Sequence, residues 1–122
     1  MLKTIKGILK GIKYALEGYR GAFKEDKHFR INLSLSLLGL SLSLTFLSGL
    51  ERLFVAYANL MVLAFELLNT AVERAVDTAT KEFKESAKLA KDASAAAVLT
   101  VGSFALILDL IYILPKLIEV IR

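Results

Sequence analysis

The chain has 122 residues, enough for one small domain, with 56% hydrophobic residues, a mean hydropathy of +0.58 and a net charge of +4. A soluble core of this size cannot hide so much apolar surface, so lipid is the natural solvent for the excess. The absence of cysteine excludes disulfides and thiolate metal sites, and a single histidine argues against zinc.

Residues 1–28 read as an amphipathic surface helix. Leu2, Ile5, Leu9, Ile12, Leu16, Tyr19 and Phe23 recur every three or four residues. Lys3, Lys6, Lys10, Lys13, Arg20, Lys24 and Lys27 form a basic stripe beside them, as on a helix lying in a membrane interface with snorkelling lysines. The excess of basic residues fits an anionic membrane face. Nucleic acid is not expected, because no aromatic–basic interleaving accompanies the charge. Nor does MLKTIKG read as a signal peptide, for no apolar core or cleavage site follows it. Gly7, Gly11, Gly18 and Gly21 gather on the opposite side and suggest a close neighbour there. Glu25 to Arg30 is a charged junction in which His28 reads as part of an interfacial collar.

Ile31 to Leu50 carries no charge over 20 residues, enough to cross the hydrocarbon core, and a first transmembrane helix is predicted over 30–49. The Leu-Ser alternation within it is the signature of a strand. A lone strand cannot satisfy its backbone in lipid, whereas serines in a helix bond back to the preceding turn. Ser48 to Arg52 then reads as a tight turn.

The second span is predicted over 52–79. Its uncharged part, Leu53 to Phe65, has only 13 residues, so the helix must continue through a polar seam. Glu66, Asn69, Glu73 and Asp77, with Thr70, share one narrow helical face; Leu67, Leu68, Ala71, Val72 and Val76 occupy the other. Ionisable residues at that depth are functional suspects. A mixed-charge connection leads to a third span over 87–114, ending at Pro115. Its small residues, Ala93 to Ala97, Gly102 and Ser103, suit close helix approach. Asp109 is a second buried acid, expected to pair at a helix interface or near the far surface. Basic residues concentrate before Arg30 and between Arg74 and Lys91, which places the N-terminus and the 78–91 loop in the cytoplasm and the C-terminus outside.

No phosphate-binding glycine loop, protein-kinase element or Ser-His-Asp set is present. What remains is the Glu66–Glu73 carboxylate pair with Asn69 between, and Lys91-Asp92 entering the membrane from the same side, all expected in one cytosolic pocket. Such carboxylates can hold Mg²⁺ beside substrate phosphates or act as a general base. Equally, the seam can glue a noncatalytic three-span bundle, with Asp92 capping the third helix.

The run Glu66-Leu-Leu-Asn69-Thr-Ala-Val-Glu73-Arg-Ala-Val-Asp77 resembles the ExxNxxxExxxD signature of the prokaryotic diacylglycerol kinase family, which includes undecaprenol kinases. Ala90-Lys91-Asp92, followed by Ala97-Val98-Leu99, resembles its AKDxxxxAVL block. Gly18-Tyr19-Arg20-Gly21-Ala22-Phe23 with Asp26 and Phe29-Arg30 is a third match. The resemblance implies an all-α integral-membrane lipid kinase of the bacterial inner membrane: one surface helix, three transmembrane helices, a homotrimer with shared sites. It implies transfer of the ATP γ-phosphate to diacylglycerol, giving phosphatidic acid, with undecaprenol as the alternative lipid. It casts Glu66 as base, Asn69 as its orienting partner, and Glu73 and Asp26 as Mg²⁺ ligands. Lys91, Asp92, Asp77 and Arg20 fall on the nucleotide side. Position 26 departs from the family pattern, which often has Glu there.

Overall fold

The computed structural model describes residues 2–122, with side chains from Thr4 onward. The side chains of Leu2 and Lys3, which the sequence places on the two stripes of the first helix, lie outside the described residues. Helix α1 spans Leu2–Glu25, α2 Lys27–Phe46, α3 Gly49–Ala79 and α4 Glu85–Leu108. A π-helical turn, Asp109–Ile113, joins α4 to α5, Leu114–Ile121. Three rods are long and apolar enough to cross a membrane: α2, α3 and the continuous Glu85–Ile121 unit.

The Leu-Ser alternation in α2 is helical. Ser34, Ser41 and Thr45 donate to the carbonyls four residues earlier, Arg30, Leu37 and Ser41, so their hydroxyls are satisfied without water. The turn expected over Ser48–Arg52 is shorter than the sequence suggests. Ser48 is already the N-cap, Gly49 takes a positive φ of 56°, and Gly49 to Arg52 form the first turn of α3. Arg52 closes the corner by donating Nε–H to the Leu47 carbonyl at 2.6 Å.

The third rod does not end at Pro115. The π turn lets the Leu114 amide reach the Asp109 carbonyl, and Pro115 falls in the first turn of α5, where its missing N–H costs little. Asp92 does not cap α4 either; the helix starts at Glu85 behind Lys84, and Asp92 pairs with Lys88.

Helix α3 is the central element and packs against both α2 and α4. Its lower contact gathers Leu47, Val55 and Ile113; its middle gathers Ala58, Val62 and Ala105. Small residues at Ala58 and Ala105 let α3 and α4 approach closely. The outward faces carry exposed Leu35, Leu38, Phe54, Tyr57, Phe104 and Ile107, as lipid-facing helices should. Helix α1 is largely open to its surroundings. Of the four glycines expected to face a close neighbour, Gly7, Gly11 and Gly18 meet nothing within 4 Å among the described residues, and Gly21 meets the Arg74 side chain of α3 at 3.7 Å.

What fastens α1 is its C-terminal end. Arg30 caps it by donating Nη1–H to the carbonyls of Phe23 and Lys24 at 3.0 and 3.2 Å. Arg74 on α3 reaches Glu25 Oε2 at 2.8 Å and the Gly21 carbonyl at 3.3 Å. The elbow between α1 and α2 is therefore clamped to the same helix that bears the acidic seam.

Candidate functional site

The seam residues of α3 turn inward. Glu66 is 2% exposed, and Asn69 and Thr70 are buried beside it. The 3.6-residue repeat aligns Glu66, Asn69, Thr70 and Glu73 on the side that α2 and α4 cover. Asn69 is the pivot. Its amide donates to Glu73 Oε1 at 3.2 Å, and its carbonyl accepts from the Ser94 hydroxyl of α4 at 2.7 Å. Ser94 also bonds back to the Lys91 carbonyl, which fixes the entry turn of α4 against the seam.

From the other side, Thr70 donates to Asp26 Oδ2 at 2.8 Å and to the Glu66 backbone carbonyl at 3.0 Å. Asp26 also caps α2, its Oδ1 accepting from the His28 and Phe29 amides at 2.8 and 3.1 Å. Burial alone would raise the Asp26 carboxyl. The hydrogen bonds from the Phe29 amide, the Thr70 hydroxyl and the His28 amide outweigh it and hold this acid below its ordinary value.

Beside this network lies a cavity of about 490 Å³ whose polar lining is His28, Asn32, Glu66, Asn69, Glu73 and Ser103. Its apolar wall is Val62 with Ala95, Val98, Leu99 and Leu106 of α4. Asn32 presents its amide to the Glu66 carboxyl, and Asp26 and Glu73 lie within electrostatic reach of it. No lysine or arginine pairs with Glu66 among the described residues. A buried acid between two others, without a cation, is costly to maintain and suits a site that receives a cationic ligand or a proton.

The remaining sequence candidates sit elsewhere. Lys91 does not enter the Glu66 cavity; it pairs with Asp77 at 2.5 Å. Both line a second cavity of about 560 Å³ with Asp92, Lys88, Lys81 and Lys84, beside the 80–84 connection. The single pocket expected from the sequence is thus two compartments, separated by about one turn of α4 and joined through Lys91 and Ser94. Arg20 lies in a shallow depression of α1 with Leu9, Ile12, Lys13, Leu16 and Glu17, apart from both.

Asn32, His28 and Ser94 belong to the site and were not singled out from sequence. Asn32 was legible as the one amide inside an uncharged 20-residue run. For His28 the charged junction hid the signal.

As a test of metal fit, Glu73 has one oxygen engaged by Asn69 and the other without a hydrogen bond among the described residues, and Glu66 lines the same cavity. Asp26 has both oxygens engaged, so it reaches a cation only by sharing or releasing Thr70. Among the described residues no three acids or histidines gather as a cage. Mg²⁺ takes one or two carboxylates with phosphate and water, so Glu73 with one neighbouring acid fits it.

A family model described as prokaryotic diacylglycerol kinase matches residues 13–113. The diacylglycerol kinase of Synechocystis sp. is 34% identical over 114 residues, covering 92% of this chain and 65% of that protein. The chain thus spans just under two thirds of that relative's length. The diacylglycerol kinase of Haemophilus influenzae is 36% identical over 103 residues, 80% of this chain and 86% of that protein. The undecaprenol kinase of Bacillus subtilis is 46% identical over 54 residues, 44% of each chain.

Proposed function

The chain belongs to the prokaryotic diacylglycerol kinase family, and from that premise we propose that it transfers the γ-phosphoryl group of ATP to the hydroxyl of diacylglycerol. The observation that carries this reading is Glu66, buried and without a lysine or arginine partner among the described residues, in a cavity with a smaller polar wall and a larger apolar one. A lipid alcohol brings its hydroxyl to the polar half while its chains stay among Val62, Val98, Leu99 and Leu106.

Glu66 accepts the hydroxyl proton as the alcohol oxygen attacks the γ-phosphorus. The new O–P bond forms as the bond to the bridging oxygen breaks, and ADP leaves with that electron pair. Asn69, held by Ser94 and Glu73, fixes the side of the cavity on which the hydroxyl rests. Glu73, with Asp26 if it releases Thr70, would hold Mg²⁺, which neutralises phosphate charge. Lys91, Asp92 and Asp77 serve the nucleotide end from the second cavity, with Arg20 supplied by α1.

We further infer that α1 lies on the cytoplasmic face through its lysines and exposed apolar stripe, and that the protein works as a homotrimer. The support for an assembly of several copies is that Gly7, Gly11 and Gly18 meet no neighbour among the described residues, and that Arg20 lies in a depression lined by α1 alone. The same basic distribution supports a cytoplasmic N-terminus and an outward C-terminus in the bacterial inner membrane.

A second reading, undecaprenol as substrate, is favoured by the 46% identity to the undecaprenol kinase. Purified protein in bilayers, given ATP, Mg²⁺ and either lipid at equal mole fraction, tests both. Faster turnover with undecaprenol reverses the choice of lipid. No lipid-stimulated ATP use with either leaves a noncatalytic bundle.

A further inference from the structure

A buried polar pair below the Glu66 cavity is unused by this mechanism. Asn59 lies seven residues before Glu66 on α3, about 10 Å deeper along the helix axis. It is 3% exposed and sits inside the uncharged run Leu53–Phe65. Its amide donates to the Val55 carbonyl at 3.1 Å and to Asp109 Oδ1 at 3.0 Å. That uses both amide hydrogens. It leaves the Asn59 carbonyl oxygen and the second Asp109 oxygen without a donor among the described residues.

Asn59 and Asp109 line a groove of about 400 Å³ with Ser36 and Gly39 of α2 and a mainly apolar wall that includes Leu42, Ala105 and Ile113. The groove is continuous with the catalytic cavity: Asn32, Val62, Gly102 and Leu106 line both. Gly39 on α2 makes the arrangement sterically feasible. A Cβ there would stand 2.6 Å from Asn59 Oδ1, so only glycine lets the amide lie flat against α2. Asp109 begins the π turn, an irregularity frequent where a helix side chain serves a function.

Neither oxygen is sealed off inside the chain, but at this depth the groove opens to lipid rather than water, where an acceptor without a donor is costly. Within the bilayer the available donor is a lone hydroxyl. A neutral lipid alcohol carries one, and with so small a polar head it wanders deeper than a phospholipid. We propose that Asn59 and Asp109 form a capture site for the hydroxyl of a neutral lipid alcohol, from which the molecule slides past Asn32 to Glu66. This rests on the lipid-kinase reading above. It adds a separate resting place, two turns below the base, that admits substrate from the membrane interior.

The test compares Asp109→Leu and Asp109→Asn with the unaltered protein in bilayers, each assayed with dioleoylglycerol and with water-soluble dihexanoylglycerol. Asp109→Leu removes an acid from lipid but leaves the Asn59 amide without that acceptor, so its thermal unfolding is measured beside its kinetics. It is expected to raise KM for dioleoylglycerol by about three- to tenfold, the worth of one buried hydrogen bond, with kcat kept. Asp109→Asn, which still offers a carbonyl acceptor, is expected to recover most of that affinity. Dihexanoylglycerol, arriving from water at the headgroup level, should show no KM change. An unchanged KM for dioleoylglycerol, even with lowered thermal stability, would overturn the proposal and leave the pair as helix glue. Equal KM shifts for both lipids would also overturn it. Failure of the unaltered protein to phosphorylate either lipid is a different result and refutes the kinase reading itself.

Discussion

Glu66→Gln separates a catalytic acid from a structural one. Glutamine keeps the shape of the side chain and its contact with Asn32 but cannot accept a proton from an alcohol. Loss of a positioned general base lowers turnover by about 10²- to 10⁴-fold, or ~3–5 kcal/mol of transition-state stabilisation. Stability should not fall with it. Glu66 is 2% exposed, has Asp26 and Glu73 within electrostatic reach, and has no cation paired with it. Neutralising it removes the repulsion from Asp26 and Glu73 and the cost of burying a charge, against the lost attraction of His28 and a weaker Asn32 hydrogen bond, so thermal unfolding should be unchanged or shifted slightly in favour of the variant. The assay is paired: lipid-dependent ATP turnover, and thermal unfolding in the same micelles. Turnover within threefold of the unaltered protein would remove Glu66 as base. A large stability loss with low turnover would recast it as bundle glue.

Three further substitutions probe the surroundings. Glu73→Gln should raise the Mg²⁺ concentration for half-maximal activity about tenfold, ~1.4 kcal/mol, with partial rescue by excess Mg²⁺; an unchanged titration excludes Glu73 as ligand. Thr70→Val removes the hydroxyl that donates to Asp26 at 2.8 Å and should cost about 1 kcal/mol, low for a charged acceptor because Asp26 is part-open to water. Since the Asp26 carboxyl is depressed in the fold, its contribution is full above the ordinary carboxylate value and is lost as pH falls through the lower folded value. Thr70→Val should therefore bring that loss to higher pH, read as hydrogen exchange at the His28 and Phe29 amides; identical pH profiles would refute the coupling. Gly39→Ala should destabilise the bundle by about 1–3 kcal/mol through overpacking against Asn59, and a neutral result in thermal unfolding would show that α2 can give way.

The three spans were legible because lipid leaves so few options: a 20-residue uncharged run and a seam too deep to be a loop must both be helix. The polar face of α3 was legible from the spacing of Glu66, Asn69, Thr70 and Glu73 alone. What escaped the sequence were relations between helices. Nothing local reveals that Asn59 meets Asp109, fifty residues away, or that Gly39 exists to admit that amide. The turn at Ser48 was overestimated because Gly49 reads as a loop residue, whereas its positive φ starts the helix. Pro115 read as a stop because the π turn before it, which shifts the hydrogen-bond register, has no sequence mark.

The two compartments differ in how readily they can rearrange. Around Glu66, the buried Asn69 and Thr70 are tied to the half-buried Ser94, Glu73 and Asp26, so moving one leaves a buried partner unsatisfied, at about 1–3 kcal/mol. Lys91 and Asp77 meet at 2.5 Å, but their side chains are 35% and 57% exposed. Solvent screening leaves such a pair worth about 0–1 kcal/mol. A polyphosphate offers Lys91 more negative charge than Asp77 does, so drawing the lysine across one turn of α4 costs little. On the proposed lipid-kinase reading, the Glu66 side is set before a lipid arrives, and the Lys91 side would be completed by the nucleotide. That division suits a reaction whose alcohol must be held in place at the membrane boundary while its phosphoryl donor comes and goes through water.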